Sequence, residues 1–268
     1  MASRFGRGSI QGIVVALAVG ALFALLASGC GSSSGSTPQS TSSASPAAGS
    51  APSLAPIAKP YRPKFDQANM VRTIDNKYWP LKPGTTFHYK GVKGTQNQID
   101  NETVTHQTKQ ILGVPSTVVR DTVLAHGTPI ERTFDWYAQD KYGNVWYMGE
   151  NSLERSHGRF VKASDSWESG VNGAEPGIIM SAHPRRGDTY RQEYYPPGGA
   201  LDQAHVLGRR GRVTVPYGTF MRPLVTVEWS PVEPQLEKKV YAAGLGEIRE
   251  RVIAGGHEQF ELVSVTHR

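Results

Sequence analysis

The side chains best suited to recognise a ligand are concentrated between His183 and Tyr195. This segment of thirteen residues contains His183, Arg185, Arg191, Glu193, Tyr194 and Tyr195. If it is a strand, Arg191 and Glu193 point to the same face, because side chains alternate along a strand. Such a patch would bind an anionic or sugar-like ligand. A solvated strand face with a cross-strand ion pair is the simpler interpretation.

A second group combines carboxylates with an aromatic side chain. It comprises Asp135, Asp140, Glu228 and Trp229. Most glycosidases use two carboxyl groups at a separation that suits the reaction, and the sequence alone does not give that separation. Roles in turns and on the surface are the alternative explanation for these carboxylates.

The remaining reactive side chains form no familiar catalytic or metal-binding motif. The eight histidines are scattered and none belongs to an HExxH sequence. Gly244-Leu245-Gly246 lacks the third glycine of a dinucleotide-binding loop, and the chain has a single cysteine. We therefore predict no catalytic residue, no metal site and no cofactor. Enzymatic activity stays open, and the missing motifs favour a non-catalytic role.

Composition limits the class of protein and of partner. The chain has 268 residues and a formal net charge of +6, but no dense run of basic residues. We therefore predict no nucleic-acid partner. Its 29 glycines and 18 prolines argue against a helical bundle, because both residues weaken helix interiors.

The N-terminal segment has the three parts of an export signal. Arg4 and Arg7 form a positive start, no charged residue occurs over the eighteen residues from Gly12 to Gly29, and the stretch ends in small residues. An uncleaved transmembrane anchor is the alternative, since eighteen residues at about 1.5 Å each reach roughly 27 Å. Both interpretations place the rest of the chain outside the cytoplasm, because positive residues stay inside.

Leu26-Ala27-Ser28-Gly29-Cys30 ends in the single cysteine and resembles the lipobox of bacterial lipoproteins, with Ala27 where that family prefers leucine. The resemblance implies that residues 1–29 are a signal peptide and that Cys30 carries acyl chains such as palmitate. Two chains anchor a protein stably. The predicted location is therefore the cell membrane, with the bilayer as partner of Cys30 and the domain facing outside the cytoplasm.

Residues 30–58 follow as the lipidated cysteine and a tether. Beyond Cys30 this segment is almost entirely Ser, Thr, Ala, Gly and Pro, with no charged side chain. Such a composition buries too little apolar surface to offset the entropy of ordering, which predicts a disordered linker.

Residues 59–268 have the pattern of one antiparallel β domain. Phe134-Asp135-Trp136-Tyr137-Ala138 and Val145-Trp146-Tyr147-Met148 flank turn residues and predict a hairpin. With about ten such strands, the predicted fold is all-β: a single antiparallel curled sheet, half-barrel or barrel-like.

Two finer expectations concern positions within this domain. Phe134 with Trp136, and Val225 with Trp229, recur at alternate strand positions and are expected to form the sheet interior. Residues 200–207 are expected to form a brief helix.

Several segments resemble an uncharacterised family of exported bacterial β proteins over roughly residues 72 to 265. They include Pro83-Gly84-Thr85-Thr86-Phe87, Asp135-Trp136-Tyr137-Ala138-Gln139-Asp140 and Val215-Pro216-Tyr217-Gly218-Thr219-Phe220. The segment from Lys239 to Gly246 is similar to a turn in half-barrel envelope domains, some of which carry lipoproteins or acyl chains. That likeness implies a fold and is only an analogy for function.

The sequence thus predicts a membrane-anchored extracytoplasmic lipoprotein whose domain is a non-catalytic binding module for an apolar or amphipathic envelope molecule. The expected ligand contacts are Arg191, Glu193, Tyr194, Tyr195, Trp136 and Trp229. A secreted glycosidase-like hydrolase and a purely structural envelope lipoprotein are the alternatives. An apolar cavity would favour the binding module, and converging carboxylates would favour the hydrolase.

Overall fold

The computed structural model describes residues 61–268. The predicted signal peptide, Cys30, the tether and residues 59 and 60 lie outside the described residues. Within residues 61–268 the chain forms twenty strands, two short 3₁₀ turns and no α-helix, which confirms the all-β prediction. This part of the chain accordingly offers no helix with the length and apolar character needed to cross a membrane.

The strands follow one another as β1 Met70–Val71, β2 Asp75–Asn76, β3 Trp79–Pro80, β4 Thr85–Lys93, β5 Gln96–Ile111, β6 Val114–Ala125, β7 Thr128–Asp140, β8 Val145–Ser156, β9 Arg159–Lys162 and β10 Trp167–Glu168. The second half contains β11 Glu175–Met180, β12 Thr189–Arg191, β13 Glu193–Tyr194, β14 Gln203–Arg209, β15 Arg212–Val215, β16 Gly218–Met221, β17 Leu224–Trp229, β18 Leu236–Ala242, β19 Gly246–Ala254 and β20 Glu258–His267. The 3₁₀ turns are Gln67–Asn69 and Pro196–Gly198.

Sixteen strands form one antiparallel sheet, which confirms the prediction of a single curled sheet. Its main path runs β12-β14-β17-β18-β19-β20-β4-β5-β6-β7-β8-β11-β13, with β1 beside β7 and with β9 and β10 beside β8. Only Gln192 separates the first strand of this path, β12, from the last, β13. The chain itself therefore joins the two ends of the sheet, which curls almost into a barrel. The pairs β2–β3 and β15–β16 are separate from it.

The hairpin of β7 and β8 forms where the sequence predicted it. Asp140 builds the turn, because its Oδ1 accepts hydrogen bonds from the backbone N–H groups of Tyr142 and Asn144, both at 2.9 Å. The indole nitrogen of Trp146 donates to the other carboxylate oxygen at 3.0 Å. This local chemistry fixes the register in which Ala138 faces Trp146.

Two elements differ from the sequence-based expectation. The helix expected over residues 200–207 is wrong: Gln203–Arg209 is strand β14, which pairs with β12 and β17. Ladder hydrogen bonds on both sides outweigh a weak local preference. Strand β5, the longest, occupies a polar segment where no strand was predicted. Its buried positions carry Gln98, Asp100 and Glu102, so the usual apolar alternation is hidden.

Most of the main core lies on the face of the sheet that carries Tyr137, which we call the inner face, and Val240 joins the same core from the opposite face. Tyr137 stacks on Tyr147 with ring centroids 4.9 Å apart, and Trp79 packs edge-on against Tyr137 at 5.7 Å. Trp136 alternates with Tyr137 and belongs to a smaller cluster with Trp146 and Met148. The expectation that Phe134 and Trp136 face the interior is therefore wrong.

The same reversal holds in β17. Leu224 packs in the main core, and alternation puts Thr226 and Glu228 on that inner face. Val225 and Trp229 consequently lie on the outer face, although all six residues of the strand are buried. Burial on both faces is the reason that alternation could not identify the interior.

Candidate functional site

Arg191, the centre of the predicted ligand patch, is buried between two tyrosines. Its guanidinium carbon lies 5.7 Å from the ring centroid of Tyr61 and 5.2 Å from that of Tyr194. Its Nη1 donates to the carbonyl of Leu201 at 3.3 Å. Burial lowers the pKa of Arg191, against the opposing influence of Tyr61 and Tyr194. Arg191 therefore fastens Tyr61 and its segment to the sheet edge.

The predicted pairing of Arg191 with Glu193 on one strand face is interrupted. Arg191 ends β12 and Glu193 begins β13, and the chain passes from one strand to the other at Gln192. Glu193 is buried and contributes to raising the pKa of Tyr147. Trp229, from the same predicted set, is buried on the outer face of β17 opposite Gln203.

The structure does bring Trp136 and Tyr195 together. Both line a recess of about 350 Å³ that also contains Lys109, Glu150 and Glu168. The ammonium of Lys109 lies 3.5 Å from the centroid of the Trp136 indole and 2.8 Å from a carboxylate oxygen of Glu168. This cation covers the indole face, so Trp136 does not offer an open platform to a sugar ring.

The three carboxylates of the hydrolase hypothesis belong to three separate networks. Asp140 holds the β7–β8 turn. Asp135 is on the inner face, where the Tyr147 hydroxyl lies 2.7 Å from its Oδ1 and 3.1 Å from Glu150. Burial raises the pKa of Asp135 to about 6, and the Tyr147 hydroxyl opposes this rise.

The third carboxylate, Glu228, belongs to a buried ionic network around Lys239. The Lys239 Nζ lies 3.1 Å from Glu250, 3.5 Å from Glu228 and 3.7 Å from Glu237. The hydroxyl of Tyr241 donates to Glu228 at 2.8 Å. Burial favours the neutral amine, but the surrounding carboxylates outweigh it and hold the pKa of Lys239 well above its usual range. One ammonium thus faces three carboxylates on the inner face of β17 to β19.

A trio of buried acids on β5 and β6 is the one group among residues 61–268 with oxygen atoms close enough to share a cation. Ligand atoms of Asp100, Glu102 and Asp121 all lie within 4.8 Å of one another. Burial raises the pKa of Asp121 well above its usual range, and Asp100 raises it further. Oxygen ligands of this kind suit calcium or magnesium. Beyond the proximity of the three acids, the described residues provide no further feature that points to an ion.

Two adjoining recesses rich in arginine lie on the surface, and we call them the basic groove. The first recess, of about 440 Å³, is lined by Arg185, Arg186, Arg209, Arg210 and Arg222. The second, of about 400 Å³, is lined by Arg210, Arg212, Lys238, Arg249 and Arg251. Leu207 and Arg210 belong to both recesses.

Strand register places the cations of the second recess together. Val225, Val240 and Arg249 are cross-strand neighbours, and Val227, Lys238 and Arg251 form the next row. Both rows lie on the outer face, while Lys239 and Glu250 point to the inner face. The floor of the recess is apolar, with Val213, Val225, Val240, Leu207 and Ile253.

Most cations of the basic groove lack a carboxylate partner. Arg249 forms an ion pair with Glu261 at 2.8 Å. Across residues 61–268, none of the other eight cations of the groove is within ion-pair distance of a carboxylate. Arg210 donates instead to the carbonyl of Leu207 at 2.9 Å. The groove is thus a concave surface with uncompensated positive charge over an apolar floor.

Sequence reasoning missed this groove because its residues are far apart in the chain. One signal was present: Arg249-Glu250-Arg251 alternates in sign, which on a strand separates the cations from the carboxylate by face. Which face was buried, however, depended on the pairing of β17, β18 and β19.

Comparison with known proteins finds no family model and no curated protein that matches the sequence. Two solved structures are similar. One is a protein assigned as exported, with a YmcC-like fold, from Bacteroides fragilis: 13% identity, TM-score 0.42, covering 71% of this chain and 99% of that one. The other is a protein assigned as a lipoprotein from Parabacteroides distasonis: 11% identity, TM-score 0.38, with the same coverages. Likeness at this level transfers no function.

Proposed function

We propose that this protein is a membrane-anchored extracytoplasmic lipoprotein whose β domain binds an anionic amphipathic envelope molecule in the basic groove, without catalysing a reaction. The observation that carries the proposal is the groove itself, in which eight cations lack carboxylate partners and the second recess has an apolar floor. The anchor rests on Arg4, Arg7 and the lipobox-like sequence before Cys30.

The cations of the groove suit the anionic group of such a ligand, and the apolar floor suits its acyl chain. Arginine binds phosphate and carboxylate groups through two parallel hydrogen bonds, and each charge-assisted bond contributes about 1.5–3 kcal/mol. An acyl chain over Val213, Val225 and Ile253 would contribute about 0.8 kcal/mol for each buried CH₂. Volumes near 400 Å³ lie in the range of small-molecule sites.

The hydrolase alternative has less support. A glycosidase needs two carboxyl groups that flank one bond. Asp135, Asp140 and Glu228 instead hold a tyrosine, a turn and a buried lysine. Their hydrogen bonds account for these carboxylates without a substrate.

The test is calorimetric titration of the purified β domain, residues 59–268, with short-chain phosphatidylglycerol below its micelle concentration. Phosphatidylcholine with the same chains is the matched ligand. We expect the anionic lipid to bind at least about tenfold more tightly, because each 1.4 kcal/mol changes the dissociation constant tenfold. Salt should weaken the binding.

A pair of variants with equal changes in net charge locates the site. Arg212→Glu combined with Arg251→Glu alters the groove, whereas Arg155→Glu combined with Arg159→Glu alters exposed positions of β8 and β9. The groove variant should lose affinity by about tenfold or more, and the control should bind like the parent. Equal losses in both variants, or equal affinity for the two lipids, would contradict the proposal.

A further inference from the structure

We infer that the hairpin of β15 and β16 is a membrane-docking element, which enters the interfacial layer of an anionic bilayer through Met221 and Tyr217. The inference rests on the proposed function in one respect, because Arg212 and Arg222 of the basic groove flank the same hairpin. It adds the bilayer surface as the partner of this face.

Met221 is the most exposed large apolar side chain among residues 61–268, at 70% of its surface. It lies directly across the hairpin from Arg212 and precedes Arg222 in the chain. An apolar side chain flanked by two cations suits the boundary between lipid headgroups and acyl chains.

Tyr217 occupies the turn at the other end of the hairpin and is 44% exposed. Its ring stacks on Phe220 with centroids 6.4 Å apart and planes 8° apart. Tyrosine is enriched at membrane interfaces because its ring is apolar and its hydroxyl remains hydrated. About four residues separate Tyr217 from Met221, or roughly 13 Å along a strand, so the two exposed side chains mark the two ends of the hairpin.

The hairpin is fixed to the domain by its opposite face. Val213 and Phe220 are cross-strand neighbours and pack against the main core. The backbone N–H of Tyr217 donates to the carbonyl of Leu262 at 3.0 Å. Because this side is held, Met221 and Arg212 are presented to the surroundings on a rigid support.

Two considerations favour a bilayer over a protein as the occupant. The basic groove complements anionic headgroups, which attract clusters of Lys and Arg near a membrane surface. The thirty residues from Gly31 to Pro60 cannot extend beyond about 100 Å, so a chain anchored at Cys30 keeps its domain within reach of the bilayer. A surface held at such a distance binds at a high effective concentration.

The test uses the full chain in proteoliposomes. Met221→Cys carries an environment-sensitive dye, and nitroxide lipids quench it if it enters the interface. The same dye at Tyr142→Cys is the matched control, because Tyr142 is 62% exposed on the β7–β8 turn. The parent chain, which has neither of the two introduced cysteines, is treated with the same dye to measure background labelling. We expect quenching at position 221 to exceed that at 142 by about twofold or more with phosphatidylglycerol present.

Three outcomes decide the inference. Loss of quenching in high salt, or in the Arg212→Glu, Arg222→Glu variant, supports electrostatic docking. Equal quenching at positions 221 and 142 overturns it. A dye response that grows with protein density on phosphatidylcholine alone also overturns it, because the occupant would then be a second copy of the chain.

Failure of the inference and failure of the proposed function are distinguishable. Met221→Ser should abolish docking, which is measured as the quenching of a dye attached at Tyr217→Cys. The same substitution should leave the affinity for short-chain phosphatidylglycerol unchanged. Short-chain lipid binding without quenching would overturn the docking element alone. Quenching without lipid binding in solution would contradict the groove as a ligand site and leave the docking element standing.

Discussion

Lys239 is the cation on which the inner face of β17, β18 and β19 depends. Its side chain is 2% exposed and three glutamates lie within 4 Å. Removing one partner of a buried ion network leaves uncompensated charge, which costs more than the intact network contributes. The glutamates, rather than the lysine itself, therefore determine what its removal does.

We predict that Lys239→Met lowers the free energy of unfolding by about 3–5 kcal/mol, because Glu228, Glu237 and Glu250 lose their counter-ion. Urea denaturation at neutral pH measures the change. Burial already raises the pKa of Glu237 well above its usual range, with Lys239 opposing that rise. Acidification should accordingly reduce the loss, since protonated glutamates no longer repel one another.

The neighbouring residue supplies the control. Lys238 has the same charge and size but is exposed on the outer face, so Lys238→Met should change stability by no more than about 0.5 kcal/mol. Comparable losses from the two substitutions would show that the inner network does not stabilise the fold.

At the scale of elements, strand alternation sorts the charges of this protein. Strands β18 and β19 direct Lys238, Arg249 and Arg251 outward and Lys239 and Glu250 inward. A slip of one residue in either strand would bury the groove cations and expose the glutamates. The buried network and the basic groove are thus two consequences of one register.

Closure of the sheet depends on a glycine in β11. A Cβ atom on Gly177 would lie 2.0 Å from the carbonyl oxygen of Gln192, the residue between β12 and β13. We predict that Gly177→Ala separates β11 from β13 and destabilises the domain by about 1–3 kcal/mol, the usual cost of overpacking. Thermal unfolding and hydrogen exchange in β13 measure the effect.

Gly218→Ala is the matched substitution. Its added Cβ would meet Phe220 ring atoms at 3.9 and 4.0 Å, which is ordinary contact. We expect the Gly218→Ala variant to unfold at the same temperature as the parent protein. If the Gly177→Ala variant were as stable as the parent and Gly218→Ala, the close approach of β11 to Gln192 would not control closure of the sheet.

At the scale of the whole chain, Cys30 is predicted to determine where the domain resides. We expect Cys30→Ala to abolish acylation and to block cleavage before residue 30, because the resembling lipobox requires a cysteine thiol. Mass spectrometry of the mature N-terminus and partition into a detergent phase test both. Ser28→Ala keeps a small residue in the same motif and should be processed normally. Cleavage at another position with release into the aqueous phase would contradict lipidation.

Features that arise within a few neighbouring residues could be predicted from the sequence. Alternation and turn residues established the all-β class, and the turn chemistry of Asp140 established the β7–β8 hairpin. The order of charged, apolar and small residues before Cys30 predicts a lipoprotein signal by resemblance, and this prediction falls outside the described residues. Each depends on contacts or spacing local to the chain, so each is readable without knowing the fold.

Which face of each strand is inside, and which surfaces the faces form together, depends on contacts between distant parts of the chain. A period of two distinguishes two faces without identifying the inner one. Both faces are buried in β17 and at the end of β7, so Trp229 and Trp136 were assigned to the wrong face. Polar β5 forms between its hairpin neighbours β4 and β6, and β14 forms by pairing with β17, which lies beyond the β15–β16 hairpin in the chain. The basic groove brings residues from Arg185 to Arg251 to one surface, through contacts between strands and turns that are distant in the chain.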